Sequence, residues 1–531
     1  MPTSTADPPD TAGAGADVVV VGGGVNGAGI ARDLAGRGVR VLLCEKDDLA
    51  SHTSSASTKL IHGGLRYLEY NEFSLVRKAL AEREVLLKSA PHIMRPLRFV
   101  MPHDPSMRPV WMIRIGLFLY DHLARREVLP PSRTVDLRKH VAGAPLKPEF
   151  TRKGFVYSDG WVDDARLVAL CALDAAEHGA TVLTRTACVD AERGASRWRV
   201  RLQASDGTTT EVTARALVNA AGPWAAQFLM EHAHRVDRVH LRLVKGSHIV
   251  VPKLFDHGHA YIFQNRDKRI IFAIPYEGEF TLIGTTDVEH HGAIGGAHAS
   301  PEEIDYLCAQ ATRYFAQPVT PAQIVWTYSG VRPLLDDEAG NPAAVTRDYR
   351  LEFDFGDDGA PQAPLLSVWG GKLTIFRKLA EEVADLLVPA LAASMREDAP
   401  ERPGLGAAWT EGAPLPGGDL RRWLGAAAPP AHDVVATFDR FAVALMARHP
   451  SVPARLLQRL ARAYGTRAEA ILKDGLGVEV APLVFGAELA YLRRVEWARS
   501  GEDVLWRRSK LGLHLAAAER DAVSAWMTKA S

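Results

Sequence analysis

The chain has 531 residues, 47% of them hydrophobic and 24% charged, which marks an ordinary globular protein of two or three domains and excludes a disordered or fibrous one. Lys+Arg and Asp+Glu are equal at 63 each; there is no global basic field of the kind nucleic-acid binders carry, so attraction to an anionic ligand must be local. The four cysteines, Cys44, Cys171, Cys188 and Cys308, form no CxxC pair, which argues against zinc, an iron–sulfur cluster or disulfides and fits a reducing cytoplasmic compartment.

Residues 1–16 are small, polar and acidic and read as a flexible leader, not a signal peptide. Residues 17–21 are a short apolar run ending in glycines, 26–37 a helix closed by Gly38, and 39–44 a second buried strand. Between the first strand and the helix stands Gly22-x-Gly24-x-x-Gly27. The first glycine makes a tight turn, the second lets a pyrophosphate approach the backbone, and the third lets helix and strand pack closely. The helix N-terminus then faces the negative charge. Glu45 lies 23 residues after Gly22, where an acid bonds adenosine ribose hydroxyls and disfavours a 2′-phosphate, so FAD or NAD is preferred to NADP.

Thr53, Ser54, Ser55 and Ser57 crowd hydroxyls into one loop, suited equally to phosphate or flavin contacts and to a plain surface turn. Residues 75–89 read as a helix ended by Pro91. The stretch Arg108 to Tyr120, followed by Arg125 and Arg126, joins apolar and aromatic residues to flanking cations. It reads either as an interfacial helix or as a buried one, and is too short to cross a bilayer. Residues 163–178 predict a helix, and 181–188, 198–204, 211–219, 241–251, 270–275 and 281–284 predict strands of a mixed or antiparallel substrate-side sheet. Within 216–224, Ala221 and Gly222 end an apolar run able to pass close to an extended cofactor. A strand at 365–370 runs into Gly370 and Gly371, with a helix at 373–388 behind it. Residues 400–418 read as a Pro/Gly-rich linker. From 419 onward, helical patterns at 434–447, 453–463 and 484–498 predict a separate helical domain.

The segment Thr53-Ser-Ser-Ala-Ser-Thr-Lys-Leu-Ile-His-Gly-Gly-Leu-Arg-Tyr-Leu68 resembles the flavin-approach loop of the FAD-dependent glycerol-3-phosphate dehydrogenases, within the D-amino-acid-oxidase-like superfamily. Residues 161–167, 245–250, 283–287, 326–333, 346–348, 369–374 and Trp506-Arg-Arg508 resemble segments of the same family. The resemblance implies an α/β architecture: a Rossmann-like doubly wound FAD-binding domain over 17–399, an interleaved mixed or antiparallel-sheet substrate cap, and a helical C-terminal domain over 419–531. It also implies glycerol 3-phosphate as substrate, dihydroxyacetone phosphate as product, ubiquinone or menaquinone as acceptor, no metal, and a homodimer peripheral on the cytoplasmic face of the membrane. A dioxygen-using glycerol-3-phosphate oxidase and an amino-acid or sarcosine-type oxidase remain rival readings of the same fold.

By the same resemblance Arg66, Arg332, Arg347 and Lys372 form the cationic set for the phosphate, with Tyr67 and Thr285 as neutral neighbours. His248 is the expected base, since an unperturbed imidazole titrates near ~6.5; the alternative is Arg332 stabilising an alkoxide while the proton leaves through water. Expected FAD contacts are Gly22, Gly23, Gly24, Asn26, Gly27 and Glu45 from the first unit. Thr53, Ser54, Ser55, Ser57, Lys59 and His62 follow from the loop. Ala221, Gly222, Gly371, Lys372, Leu373 and Thr374 complete the set from later strand ends.

Overall fold

The strand Ala16–Val21 is buried along its whole length, and it pairs in parallel with Val41–Cys44 on one side and Thr209–Asn219 on the other. A run covered on both faces belongs at the centre of a sheet with helices packed on it. The computed structural model describes residues 15–104, 108–235, 239, 241–267, 269–335, 348–356, 362–398 and 404–529. Among these, the first sheet has eight strands; its path runs Tyr349–Asp354, Leu365–Gly370, Thr209–Asn219, Ala16–Val21, Val41–Cys44, Thr181–Leu183. The helices Val25–Gly36, Asp164–Glu177 and Phe376–Asp398 share one apolar core with this sheet.

The expected substrate-side layer needs correction at its first three strands. Thr181–Leu183, Thr186–Arg193, Trp198–Ala204 and Thr209–Asn219 all belong to the first sheet. The run at 181–188 is broken where Arg185 adopts φ +53°. Alternation at 198–204 does show one wet face, but the strand pairs with Thr186–Arg193 and Thr209–Asn219, and the buried indole N–H of Trp198 donates to the Pro364 carbonyl at 3.0 Å, just before Leu365–Gly370 of the same sheet.

The second sheet has ten strands among the described residues. Leu241–Pro252 lies between Phe280–Gly284 and Trp326–Leu335, antiparallel to both, and also pairs with Val288–Glu289. The sheet continues through Ile270–Tyr276, Ala260–Gln264, Met94–Pro102 and Gly154–Val162. That last strand is buried at all nine positions although it carries Ser158 and Asp159, so no alternation announces it; Arg83 donates to Asp159 Oδ1, and the Ser158 hydroxyl donates to the Pro130 carbonyl and accepts from Arg98.

The C-terminal helices, among them Val434–Arg448, Ala454–Tyr464, Gly486–Glu496 and Ala517–Lys529, enclose a core of their own. The helix expected over 484–498 begins only at Gly486, because Val484–Phe485 pairs with Glu479–Ala481. The expected linker is anchored: the indole N–H of Trp409 donates to the Asp33 carbonyl, Thr410 Oγ1 to Asp33 Oδ2, and the Leu415 N–H to the Ser89 carbonyl. No helix among the described residues is long and apolar enough to cross a membrane.

Candidate active site

A cavity of about 1270 Å³ is lined by residues of both sheets and of the loops between them. At one end Gly22, Gly24, Val25 and Asn26 bring the start of the Val25–Gly36 helix to its wall. Gly22 has φ +112°, and a Cβ there would overlap the Ala220 carbonyl; one on Gly27 would overlap the Gly22 carbonyl. Side chains are therefore excluded on the strand side of the turn. At Gly24 the nearest atom to such a Cβ is Ser54 Oγ at 3.1 Å, so the free space at that glycine faces the cavity. Gly23 and Gly27 shape this turn from behind and do not line the cavity.

Glu45 accepts the Gly23 N–H at 2.6 Å and the Asp47 N–H at 2.9 Å. Burial pushes its pKa up, against the pull of these two donors. The hydroxyl loop is occupied with its own structure. Thr53 Oγ1 donates to the Val331 carbonyl at 2.7 Å, Ser55 Oγ to the His52 carbonyl, and Ser57 Oγ to Asp164 Oδ2 at 2.7 Å. Ser54 Oγ accepts the Val25 N–H at 3.0 Å and so supplies the cap that Gly24 cannot. Thr53, Ser54 and Ser57 line the cavity; Ser55 does not.

Lys59 points away from the cavity. Its ammonium is fully buried and donates to Asp164 Oδ1 at 2.8 Å and to the Ser55 carbonyl at 3.0 Å, an internal ion pair rather than the expected cofactor contact. His62 and Thr374 both line the cavity and clasp each other, the His62 N–H donating to Thr374 Oγ1 at 3.1 Å. Ala221, Gly222, Gly371, Lys372 and Leu373 line it as well.

Of the expected cationic set, Arg66, Arg332 and Lys372 line this one cavity together with Tyr67 and Thr285; Arg347 lies outside the described residues. Lys372 Nζ stands 3.5 Å from the centre of the Tyr67 ring. Arg332 Nη2 donates to Thr285 Oγ1 at 2.8 Å, and Nη1 donates to Asp287 Oδ1 at 2.5 Å. Asp287 ends the 283–287 segment and carries no local signal of this role. The space for the Arg332 head comes from Gly246, where a Cβ would overlap the guanidinium. His248 is fully buried and does not line the cavity. Burial, with Arg332 and Lys59 nearby, holds its pKa well below the usual imidazole value.

Residues 17–373 match the family model described as FAD dependent oxidoreductase, and residues 408–529 match the C-terminal domain of alpha-glycerophosphate oxidase. The chain belongs to the FAD-dependent oxidoreductase family. A glycerol-3-phosphate dehydrogenase of Pseudomonas aeruginosa is 51% identical over 510 residues, covering 95% of this chain and 93% of its own. A D-erythritol 1-phosphate dehydrogenase of Brucella abortus is 48% identical over 521 residues, covering 97% and 98%. The structure of a Bacillus halodurans glycerol-3-phosphate dehydrogenase complexed with FAD superimposes with TM-score 0.74 at 26% identity, covering 98% of this chain and 92% of that one.

FAD, the cofactor of this FAD-dependent oxidoreductase family, fits the residues present. Asn26 Oδ1 is buried with no hydrogen-bond partner while its Nδ2 donates to the Gly370 carbonyl at 3.3 Å, and a buried acceptor without a donor is a place for a ligand to supply one. Gly22, Gly24 and the helix N-terminus would hold the pyrophosphate, and Glu45, whose two oxygens have further acceptor capacity, the adenosine ribose. Lys46 Nζ lies 4.0 Å from the centre of the Trp224 ring, which also meets His52 edge-on at 4.6 Å. All three line the cavity, and none was singled out from sequence.

Proposed function

We propose that the chain is an FAD-dependent sn-glycerol-3-phosphate dehydrogenase producing dihydroxyacetone phosphate. The observation that carries this reading is the convergence of Arg66, Arg332 and Lys372, with Tyr67 and Thr285, on the cavity whose other end is the glycine turn. A phosphomonoester carries a charge of about −2, and an amino-acid substrate would call on one carboxylate partner rather than several cations. Bound FAD supplies the acceptor for the hydride from C2. Arg66 and Lys372 would bind and orient the phosphate. Arg332, fixed by Asp287 and Thr285, would meet the oxygen on which negative charge develops. Anaerobic mixing of the FAD-loaded protein with glycerol 3-phosphate tests this: bleaching of the oxidised-flavin absorbance is expected, and its absence would sink the assignment.

A second substrate has specific support in the erythritol-phosphate relative. A four-carbon polyol phosphate presents the same anion to the same cations, so kcat/KM for D-erythritol 1-phosphate against glycerol 3-phosphate decides between them.

The acceptor we propose is a membrane quinone, reached from a bilayer surface. The helix Val110–His122 leaves Trp111 61%, Ile115 52% and Phe118 55% exposed, so it is the interfacial alternative of the sequence reading that its surface supports. Met112, Ile113, Ile115, Gly116 and Leu119 of this helix also line the cavity. An apolar acceptor leaving the lipid would thus meet a continuous apolar wall. Reduction of a quinone analogue with little peroxide supports this reading; stoichiometric peroxide favours a dioxygen-using oxidase.

A further inference from the structure

His248 stands one layer behind the cavity, and Thr58 stands in front of it. The imidazole Nε2 lies 2.9 Å from Thr58 Oγ1, and Thr58 lines the cavity whereas His248 does not. The ring lies flat on Tyr328, with centroids 4.7 Å apart and planes at 16°. Its opposite neighbour across the strand pair is Gly284, where any Cβ would overlap the imidazole. Tyr328 is backed in turn by Trp326 at 5.0 Å, and Trp326 by Trp506 of the C-terminal domain at 4.7 Å. The ring therefore has no room to swing toward the cavity.

The partners of its two nitrogens fix what this histidine can do. Nδ1 is buried and has no hydrogen-bond partner. A neutral imidazole carries one N–H, on either nitrogen. On Nδ1 it would be a buried donor left unpaired, which costs more than an acceptor left unpaired. On Nε2 it donates to Thr58. Protonation of both nitrogens would require a buried cation beside two others, Arg332 with its Asp287 partner and Lys59 with its Asp164 partner. Having accepted the Nε2–H, the Thr58 hydroxyl keeps its own proton to donate, and the cavity is the side open to it.

Resting on the activity proposed above, we propose that Thr58 donates a hydrogen bond to the substrate oxygen being oxidised, whose own proton leaves to water as the hydride leaves C2, and that His248 is the positioning residue that orients this hydroxyl rather than the proton acceptor. A donor aimed at developing negative charge contributes most in a site closed to water.

Three variants and one spectrum test it in the FAD-loaded protein, with FAD content confirming the fold of each. Thr58→Val should lower kcat on glycerol 3-phosphate by about 100-fold, with Thr58→Ser restoring most of it. His248→Gln keeps a neutral N–H donor and removes the basic nitrogen; it should stay within about tenfold of the parent and keep the parent's pH profile. Nitrogen-15 NMR without substrate should show His248 neutral and protonated at Nε2 across the neutral range. A His248→Gln variant that falls as far as Thr58→Val and loses a pH limb present in the parent would overturn the proposal. So would an Nδ1-protonated or titrating imidazole. If the parent itself fails to react with glycerol 3-phosphate, the activity reading fails, while the spectrum still decides whether His248 donates to Thr58.

Discussion

Arg508 closes a two-pronged ion pair on Asp48, its Nη1 2.6 Å from Oδ2 and its Nη2 2.7 Å from Oδ1. Arg507 adds a third bond to the same carboxylate at 2.7 Å. Asp48 follows Glu45 on the loop where the ribose contact is proposed, so the C-terminal domain holds that loop in place. Asp48 and Arg508 are both buried. Changing Asp48 to Asn would remove the carboxylate charge between two guanidinium groups, leaving Arg507 with its Asp503 partner and Arg508 with the Glu496 carbonyl, and breaking a buried pair in this way costs about 3–5 kcal/mol. A large drop in melting temperature with loss of FAD on gel filtration is expected; a variant that keeps both would show the contact to be dispensable.

The same seam carries a pH dependence. Asp503 accepts from the Arg499 N–H at 2.7 Å and from Arg185 Nη2 at 2.6 Å, and pairs with Arg507. Although burial opposes ionisation, these partners hold its pKa at about 2 against the ordinary 3.8. The carboxyl is thus more acidic folded than unfolded. It contributes roughly 2 kcal/mol above pH ~4, and that contribution fades as the pH falls through about 2. Asp503→Asn should therefore destabilise the protein at neutral pH and converge with the parent on acidification. Urea titrations at several pH values would show whether the gap closes.

Two glycine substitutions should separate sharply. Gly27→Ala places a methyl group on the Gly22 carbonyl, whereas Gly116→Ala meets nothing within 4 Å. The first should yield protein with little bound FAD. The second should be neutral or stabilise its helix by up to about 1 kcal/mol. The ratio of visible to ultraviolet absorbance of the purified proteins reads the first effect, and their melting temperatures read the second.

Lys372 faces the cavity from beneath a left-handed glycine, Gly371 with φ +101°. Replacing it by Met removes a charge-assisted hydrogen bond of about 1.5–3 kcal/mol. The dissociation constant for glycerol 3-phosphate, read from anaerobic flavin titration, should rise about 10- to 100-fold. Binding of a neutral polyol such as glycerol should not weaken in parallel. An equal loss for both ligands would move Lys372 out of the phosphate site.

The exposed face of the 110–122 helix offers a test that leaves the chemistry aside. Burying a large apolar side chain is worth about 1.5–3 kcal/mol, so changing Trp111 and Phe118, which do not line the cavity, together to Ser should abolish flotation with anionic liposomes. Changing Arg125 and Arg126 to Glu should weaken flotation chiefly at low salt. Flavin reduction by glycerol 3-phosphate should persist in both variants, and retained flotation in the first would remove this helix from the membrane contact.

The sequence by itself determined the first βαβ unit, its glycine turn and Glu45, because these depend on neighbours a few residues apart: a buried strand has to read as an apolar run, and a turn against a strand has to be glycine. It also determined, through the 53–68 segment, the family to which the chain belongs. Tertiary structure alone decided the rest. Which sheet the 181–219 strands join is set by pairing partners far off in sequence, Thr181–Leu183 with Val41–Cys44 and Thr209–Asn219 with Ala16–Val21 and Leu365–Gly370. Lys59 and Arg66, seven residues apart in one motif, part company because only Lys59 lies within reach of Asp164. His248 and Thr58, 190 residues apart, meet across two elements, and which of them faces the cavity is set by the stack behind the imidazole. Side chains of one chemical type cannot be told apart by local pattern when their roles depend on which distant charge or ring they touch, and those contacts exist only once the sheets have packed.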